Sequence, residues 1–407
     1  MAMVSMKDLL HHAYNNHYAV GAFEIVSLDF LSAVIQAAEK TRSPVIFNVV
    51  EAHFDLFDVG PLMAAVVQAA KRSSVPIAVH MDHCSSLDTV GAAINLGCNG
   101  VMYDGSNEDL PVNIKNTRQV VELAHACGVP VEGELGHVAG IAGDNGEYND
   151  DLSVHTSVQE AKVYVERSGV DFLAISIGTV HGRVNGKSRL DFTRLARIRE
   201  SVDIPFVIHG GTGLNDQQYH RLIDHGVAKI NCFTALAESA VQQIQTNMSQ
   251  EGATYREVFA RLSETIALKV QHCMQMWGSA GRAAEVLMQC DAWQNIEHVI
   301  VYNTSVNEPA MVEEMLRKGK EQLSNIPGVL DVQIGKAIGE QGAYRYCWLI
   351  RFAHASVIES YKTHPIHVAY ADTIFRPLAA DRISNDYVIV DDFELGRQMR
   401  PMTLQIA

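Results

Sequence analysis

Basic residues are in short supply in this 407-residue chain: 32 Lys and Arg stand against 47 Asp and Glu, a formal net charge of −15 with histidine neutral. Nucleic acid or an anionic membrane needs a basic face to dock on, and no segment supplies one. Long apolar runs are missing too. No uncharged stretch reaches the roughly 18 residues that a membrane span requires. The opening MAMVSMKDLLHHAY carries Lys7 and Asp8 where a secretory leader would be apolar. The seven cysteines show neither CxxC nor framework spacing, which points to free thiols in a reducing, cytoplasmic setting. What is left is ordinary globular sequence. Apolar residues make up 47%, mean hydropathy is near zero, and the length suits two or three domains.

Short β-branched runs alternate with amphipathic stretches as far as about residue 232. Strands are expected at 19–24, 45–49, 76–80, 100–103, 129–134, 172–176, 205–209 and 228–231. Helices such as 29–40, 62–71, 110–126, 157–166 and 216–224 lie between them. Eight continuous strands with crossovers predict an α/β fold closed into a (β/α)8 TIM barrel. An open doubly wound sheet is the alternative, and no Gly-rich fingerprint after the first strand supports it. The pattern is then helical to about residue 294, broken by GSAGRA at 278–283. A β-α-β-β-α-β order follows: strand 299–303, helix 308–323, strands 330–335 and 344–352, helices 357–361 and 366–375, closing strand 387–390. That is the α+β ferredoxin-like arrangement, so the expected domains are 1–294 and 295–407.

The chemistry gathers at strand ends. The run from Pro76 stops on the pair Asp82 and His83 in VHMDHCSSLD, with His181 after strand six in ISIGTVHG and His209 ending strand seven in VIHGGTG. A capping Asp beside a hydrogen-bonded His would read the same, but three imidazoles on one rim match a catalytic divalent metal site with an open position. Glu134 in VEGELG offers that rim an oxygen ligand or a proton acceptor. Gly210, Gly211 and Thr212 leave strand seven in a turn that can present N–H groups and a hydroxyl to an anion, with Asn231 and Thr234 completing the cup. The loop GRVNGK from Gly182 adds Arg183 and Lys187, as anion contacts or as solvated charges. Cys84 and Cys232 lie near the rim without a basic partner at fixed spacing and read as packing residues.

Over residues 3–284 the chain resembles the class II, metal-dependent ketose-bisphosphate aldolases, the fructose- and tagatose-bisphosphate group. AVGAFEI, RSPVIF, HMDHCSSLD, VMYDGS, VEGELG, IGTVHG, IHGGTG and KINCFT occur in family order. The resemblance implies that His83, His181 and His209 bind zinc, with Glu134 near or on the metal. It implies that Asp82 moves the proton at the cleaved bond. The loops at Gly182, Gly210–Thr212 and Asn231–Thr234 would hold a phosphate, with a monovalent cation nearby. The implied reaction cleaves or forms the C3–C4 bond of a ketose through a metal-stabilised enediolate, giving a dihydroxyacetone phosphate-like ketone and an aldehyde. Cobalt or manganese would suit three imidazoles as well.

Departures from the family pattern bear on the substrate. Glu24 stands where the family has Asn, and Val49, Val50 and Glu51 stand where it has Gly and then Ser or Thr. The acidic residue of the loop after strand five is replaced by Ala142 and Gly143, with Asp144 just beyond as the candidate acid. His137 and Phe233 are also unusual. Glu24 and Glu51 at the mouth would repel a phosphate and suit hydroxyls or a cationic group, so the expected substrate is a monophosphate or an unphosphorylated or modified ketose, unless both carboxylates point outward or pair with nearby Arg. Two other readings stay open: a non-catalytic sugar-phosphate sensor that keeps the metal, and an isomerase or epimerase using the same enediolate chemistry.

Residues 297–391 resemble the small dimeric α/β-barrel domains of the stress-responsive type, through IPGVLDVQIG, YCWLIRF and YKTHPIHVAYADTIFRPL. That implies a homodimer or higher oligomer. His354, His364 and His367 are read as structural.

Overall fold

A computed structural model describes the chain except residues 1, 56, 137, 139–154, 181, 183–189, 306–307, 340–341 and 390–407. The chain divides into two compact units, Met1–Trp293 and Gln294–Ala407. No described helix is long and apolar enough to cross a membrane.

In the first unit the strands are β1 (Val20–Glu24), β2 (Val45–Val50), β3 (Ile77–Cys84), β4 (Gly100–Tyr103), β5 (Val131–Leu135), β6 (Phe172–Ile175), β7 (Phe206–Ile208) and β8 (Val227–Cys232). They close into a barrel in chain order, with β8 pairing in parallel onto β1. Each strand is covered on both faces, by the barrel interior and by the helices. This is why the strand sequences run continuously apolar instead of alternating. Ser27, Ser86, Ser157 and Asn215 start four of the intervening helices by accepting a first-turn backbone N–H.

The base of the barrel is sealed by apolar contacts. Met3 bridges to Ile77, and Leu9, Leu10 and Tyr18 pack in one core with Ala22, Ile46, Ala78, Ala174 and Val207. Strand side chains repeat every two residues. Two steps along from that base the same strands turn polar groups inward: Glu24, Asn48, His80 and His209. Glu132 and Glu134 on β5, and Lys229 and Asn231 on β8, do likewise. Polar chemistry is thereby confined to the upper, C-terminal part of the barrel.

The second unit is a four-stranded antiparallel sheet of β9 (Ile296–Thr304), β10 (Val329–Lys336), β11 (Tyr346–Phe352) and β12 (Ala379–Val388), in the order β10-β11-β9-β12. Its inner face presents Trp348, Ile350 and Phe352 to the helices. Gly319, in the middle of helix Pro309–Leu323, has a packing reason: a Cβ there would collide with the rings of Tyr370 and Trp348. The other face is open and mixed, with Leu349 and Ile383 36% and 50% exposed beside Gln333, Asn385 and the Arg351–Glu297 pair. The closing strand departs from expectation, running from Ala379 rather than 387. Asp381, Arg382, Asn385 and Asp386 erase its alternation. A bulge between Ala380 and Ile383, with Asp381 at φ +45°, breaks the period as well. Such charges are at home on an edge strand.

Candidate active site

Asp82 and His83 are consecutive, so a regular strand would send them to opposite faces. They share one site because β3 bulges between Met81 and Cys84, with His83 at φ +52° in the left-handed region. That conformation costs a non-glycine residue about 1–3 kcal/mol, offset by the contacts the ring then makes. His83 Nδ1 lies 2.8 Å from Asp104 Oδ2, at the end of β4. Its Nε2 lies 3.1 Å from His209 Nδ1, and His209 Nε2 is 2.9 Å from Glu132 Oε1. Asp104 and Glu132 each fix a tautomer by accepting one ring N–H. The two remaining nitrogens, His83 Nε2 and His209 Nδ1, are left facing one point.

The potential at that point is negative enough to draw either a metal cation or a proton onto the nitrogens. Burial alone would lower the His83 pKa, but Asp82 and the bond to Asp104 push it up to about 10. Glu134 is 2% exposed, its Oε2 has no hydrogen-bond partner among the described residues, and burial with the Asp104 charge holds its pKa well above the carboxylate range. Asp82, His83 and His209 bring ligand atoms within 4.8 Å of one another, as do His83, Asp104 and Glu134. Two converging imidazoles, ringed by carboxylates with an orphaned oxygen, fit a divalent cation with mixed nitrogen and oxygen ligands.

Asp82 is held for a different purpose. Its Oδ2 accepts from Asn48 Nδ2 at 2.8 Å and from Asn231 Nδ2 at 2.7 Å. Burial opposes its charge, yet Lys229 and the nearby histidines keep its pKa well below the ordinary value. Beneath it, Lys229 donates to Glu132 Oε2 at 2.7 Å, and both side chains are 0% exposed.

A cleft opens over these groups, lined by Glu24, Asn48, Asp82, His83, Gly182, Gly210, Gly211, Thr212, Asn231, Phe233 and Thr234. Gly210 turns the chain at φ +66°. Helix Thr234–Met248 starts without a side-chain cap, leaving its first N–H groups open towards an anion. Glu24 is 4% exposed, with His53 Nε2 3.2 Å from its Oε1. That approach lacks hydrogen-bond geometry, so Oε1 accepts no bond from any described residue. Burial, then the charge of Asp82, pushes the Glu24 pKa up to about 8.

The structure brings Asp82, His83, His209 and Glu134 together, with Glu24, Gly182, Gly210, Gly211, Thr212, Asn231 and Thr234 around them. It does not bring Glu51 there. Its carboxylate accepts from Ser85 N and Oγ at 2.6 and 2.9 Å and from Thr89 Oγ1 at 2.9 Å, tying β2 to the helix after β3. The Ser-Ser-Leu-Asp run supplies donors that satisfy it locally. His181, Asp144 and Lys187 lie outside the described residues.

Sequence reasoning missed Asp104, Asn48, Glu132 and Lys229 as working parts. Asp104 carries the signal that singled out Asp82, a carboxylate at a strand end, and Glu132 stands one strand repeat before Glu134. Asp104→Ala is expected to weaken divalent-metal binding by about 10- to 100-fold through loss of ring orientation. Equilibrium dialysis measures this, and an unchanged affinity would remove Asp104 from that role.

An eight-stranded barrel with a histidine–carboxylate centre at its C-terminal mouth is an architecture shared by metal-dependent enzymes of several reaction classes. Residues 4–282 match the family model described as "Fructose-bisphosphate aldolase class-II", and the chain belongs to that family. Residues 296–389 match the "Stress responsive A/B Barrel Domain". The fructose-bisphosphate aldolase of Geobacillus stearothermophilus is 36% identical over 294 residues, covering 70% of this chain and 100% of that protein. The sulfofructosephosphate aldolase of Alkalicoccus urumqiensis is 33% identical, covering 70% and 99%. Among solved structures, the YdjI aldolase from Escherichia coli K12 is 28% identical with a TM-score of 0.61, covering 69% of this chain and 99% of its own. A putative fructose-1,6-biphosphate aldolase from Coccidioides immitis reaches a TM-score of 0.63 at 27% identity, covering 69% and 98%.

Proposed function

We propose that this aldolase is zinc-dependent and cleaves, or forms in reverse, the C3–C4 bond of a ketose carrying one phosphate or none. The carrying observation is the convergence of His83 Nε2 and His209 Nδ1 beside the ionised Asp82. His83 and His209 would hold the metal, with His181 and Glu134 completing its ligands. The bound cation supplies Lewis-acid polarisation of the substrate's C2 carbonyl. Asp82 takes the C4 hydroxyl proton as C3–C4 breaks and returns it in condensation. Asn48 and Asn231 keep that carboxylate aimed and ionised. The N–H groups and hydroxyls of Gly210–Thr212 and Thr234 bind the ketone-side phosphate. A monovalent cation near that phosphate and an acid at Asp144 remain part of the proposal from the family pattern.

Glu24 supports the departure from bisphosphates. It sits in the same cleft with an oxygen that accepts no hydrogen bond from a described residue, so a substrate hydroxyl can satisfy it, and above its raised pKa of about 8 its charge would repel a second phosphate. The test is a cleavage screen of the zinc-loaded protein over ketose bisphosphates, monophosphates and unphosphorylated ketoses, with the aldehyde trapped. Above about pH 8, where Glu24 is ionised, bisphosphate is expected to be the poorer substrate by roughly tenfold or more in kcat/KM, the scale of one uncompensated charge contact. Glu24→Asn should narrow that gap. A strong wild-type preference for bisphosphate would sink the substrate reading, and absence of a trapped aldehyde with every ketose would sink cleavage itself.

A further inference from the structure

Two thiols meet behind the anion cup. Asn231 and Cys232 are consecutive on β8, so Asn231 turns into the barrel and Cys232 turns out to the helix layer. Across the β8–β1 pairing Cys232 stands beside Phe23, and the Phe23 ring stacks on Trp277 at 5.8 Å. Trp277 caps helix Leu262–Met276. Cys273 lies one turn before it on the same face, its carbonyl accepting the Trp277 N–H at 2.9 Å. The strand end and the helix thereby bring Cys232 and Cys273 to one place.

Both line a cavity of about 450 Å³, and exposed His272 marks its opening to solvent. The thiols are 7% and 4% exposed, covered by protein yet within reach of a small oxidant through that cavity. Lys269 stands one turn before Cys273 on the same wall. The neighbouring Cys232 thiol, and then the Lys269 charge, lower the Cys273 pKa against the effect of burial. The thiolate is the nucleophilic form of cysteine. Thr212, Asn231 and Cys232 line both this cavity and the cleft over the reacting groups. Asn231 in turn donates to Asp82 Oδ2 at 2.7 Å, so a pull on Cys232 is felt at the proton carrier.

We propose that Cys232 and Cys273 are a thiol–disulfide modification site, oxidised by a hydroperoxide, that shuts the barrel chemistry down from behind the cup. The Cys273 thiolate attacks one peroxide oxygen. The O–O bond breaks, hydroxide leaves to be protonated to water, and Cys273 carries a sulfenic acid. The Cys232 sulfur then attacks that sulfur. The S–S bond forms, the S–O bond breaks, and the thiol proton leaves with the oxygen as a second water. The sulfurs are oxidised and the peroxide is reduced. Closing the contact to a bond of about 2.05 Å draws the end of β8 towards the helix and carries Asn231 away from Asp82. In reducing surroundings such a disulfide is transient and sensing rather than structural. The loss of activity rests on the cleavage reading above, whereas the covalent link does not.

Treating the reduced, zinc-loaded full chain with hydrogen peroxide tests this. Peptide mass spectrometry after alkylation is expected to find the Cys232 and Cys273 peptides joined, without their thiol hydrogens. Ketose cleavage is expected to fall by about tenfold or more, since a misplacement of about 1 Å can cost roughly 10²-fold, and to return with a phosphine reductant. Cys273→Ser should hold its activity under the same peroxide. Circular dichroism checks the fold of that variant, and Cys273→Ala should behave alike. The proposal is overturned if no joined peptide forms, if the joined protein cleaves as the reduced one does, or if Cys273→Ser is inactivated as the parent is. Failure to cleave any ketose would sink the cleavage reading alone, and the joined peptide would still decide the site.

Discussion

Asp82→Ala is expected to lower kcat for carbon–carbon cleavage by about 10²- to 10⁴-fold, the range for losing a positioned proton-transfer group, while zinc content stays at the parent level. The separation follows from the geometry. Asp82 is bonded through Asn48 and Asn231, whereas His83 and His209 are oriented by other carboxylates, Asp104 and Glu132. Removing Asp82 therefore takes away the proton carrier and leaves the ring orientation intact. Metal analysis and single-turnover cleavage on the same sample make the comparison. Parent-like cleavage would remove Asp82 from the reaction and favour a sensor that keeps the metal. Lost zinc would make the loss of activity uninformative about proton transfer and contradict the assignment of ligands.

The second large effect concerns stability. Glu132→Leu is expected to destabilise the protein by about 3–5 kcal/mol, the scale for breaking a buried ion pair by removing one partner. Glu132 and Lys229 are 2.7 Å apart and both 0% exposed, and His209 Nε2 depends on the other Glu132 oxygen. The variant leaves the ammonium without a hydrogen-bonded carboxylate, since the nearest remaining acid oxygen, Asp82 Oδ1, is 3.9 Å away. Denaturant unfolding measures the loss. Adding Lys229→Met should recover much of it, because two apolar groups of similar volume relieve the uncompensated charge. A Glu132→Leu midpoint within error of the parent would mean the interior is wetter than these burials indicate.

Much of this was legible in the sequence, for identifiable reasons. Strands covered on both faces write themselves as continuous apolar runs, so β1 to β8 and the strand-end residues Asp82, His83, Glu134 and His209 could be read directly. Two kinds of feature could not. Glu51 and Asp104 are both carboxylates just past a strand, yet one is taken up by Ser85 and Thr89 and the other by His83. Only the path of the neighbouring loops decides between them. The pairing of Lys229 with Glu132 joins residues 97 positions apart on strands that are not neighbours, and no local pattern announces such a contact. The closing strand β12 failed for the opposite reason. As a charged, bulged edge it lacks the period that reveals strands.

The buried polar groups also guard against misassembly. His80 and Asp82, Glu132 and Glu134, and Lys229 and Asn231 each occupy alternate positions of one strand. Slipping β5 by a single residue would swing both glutamates out among the aliphatic helix faces, and Val131, Gly133 and Leu135 inward against a bare ammonium. Such a slip exchanges a satisfied ion pair for two stranded charges, whereas a purely aliphatic barrel would accept it at little cost. The interior ion pair thus acts as a proofreading device for strand alignment, so that a barrel able to close at all closes with its reacting groups in place.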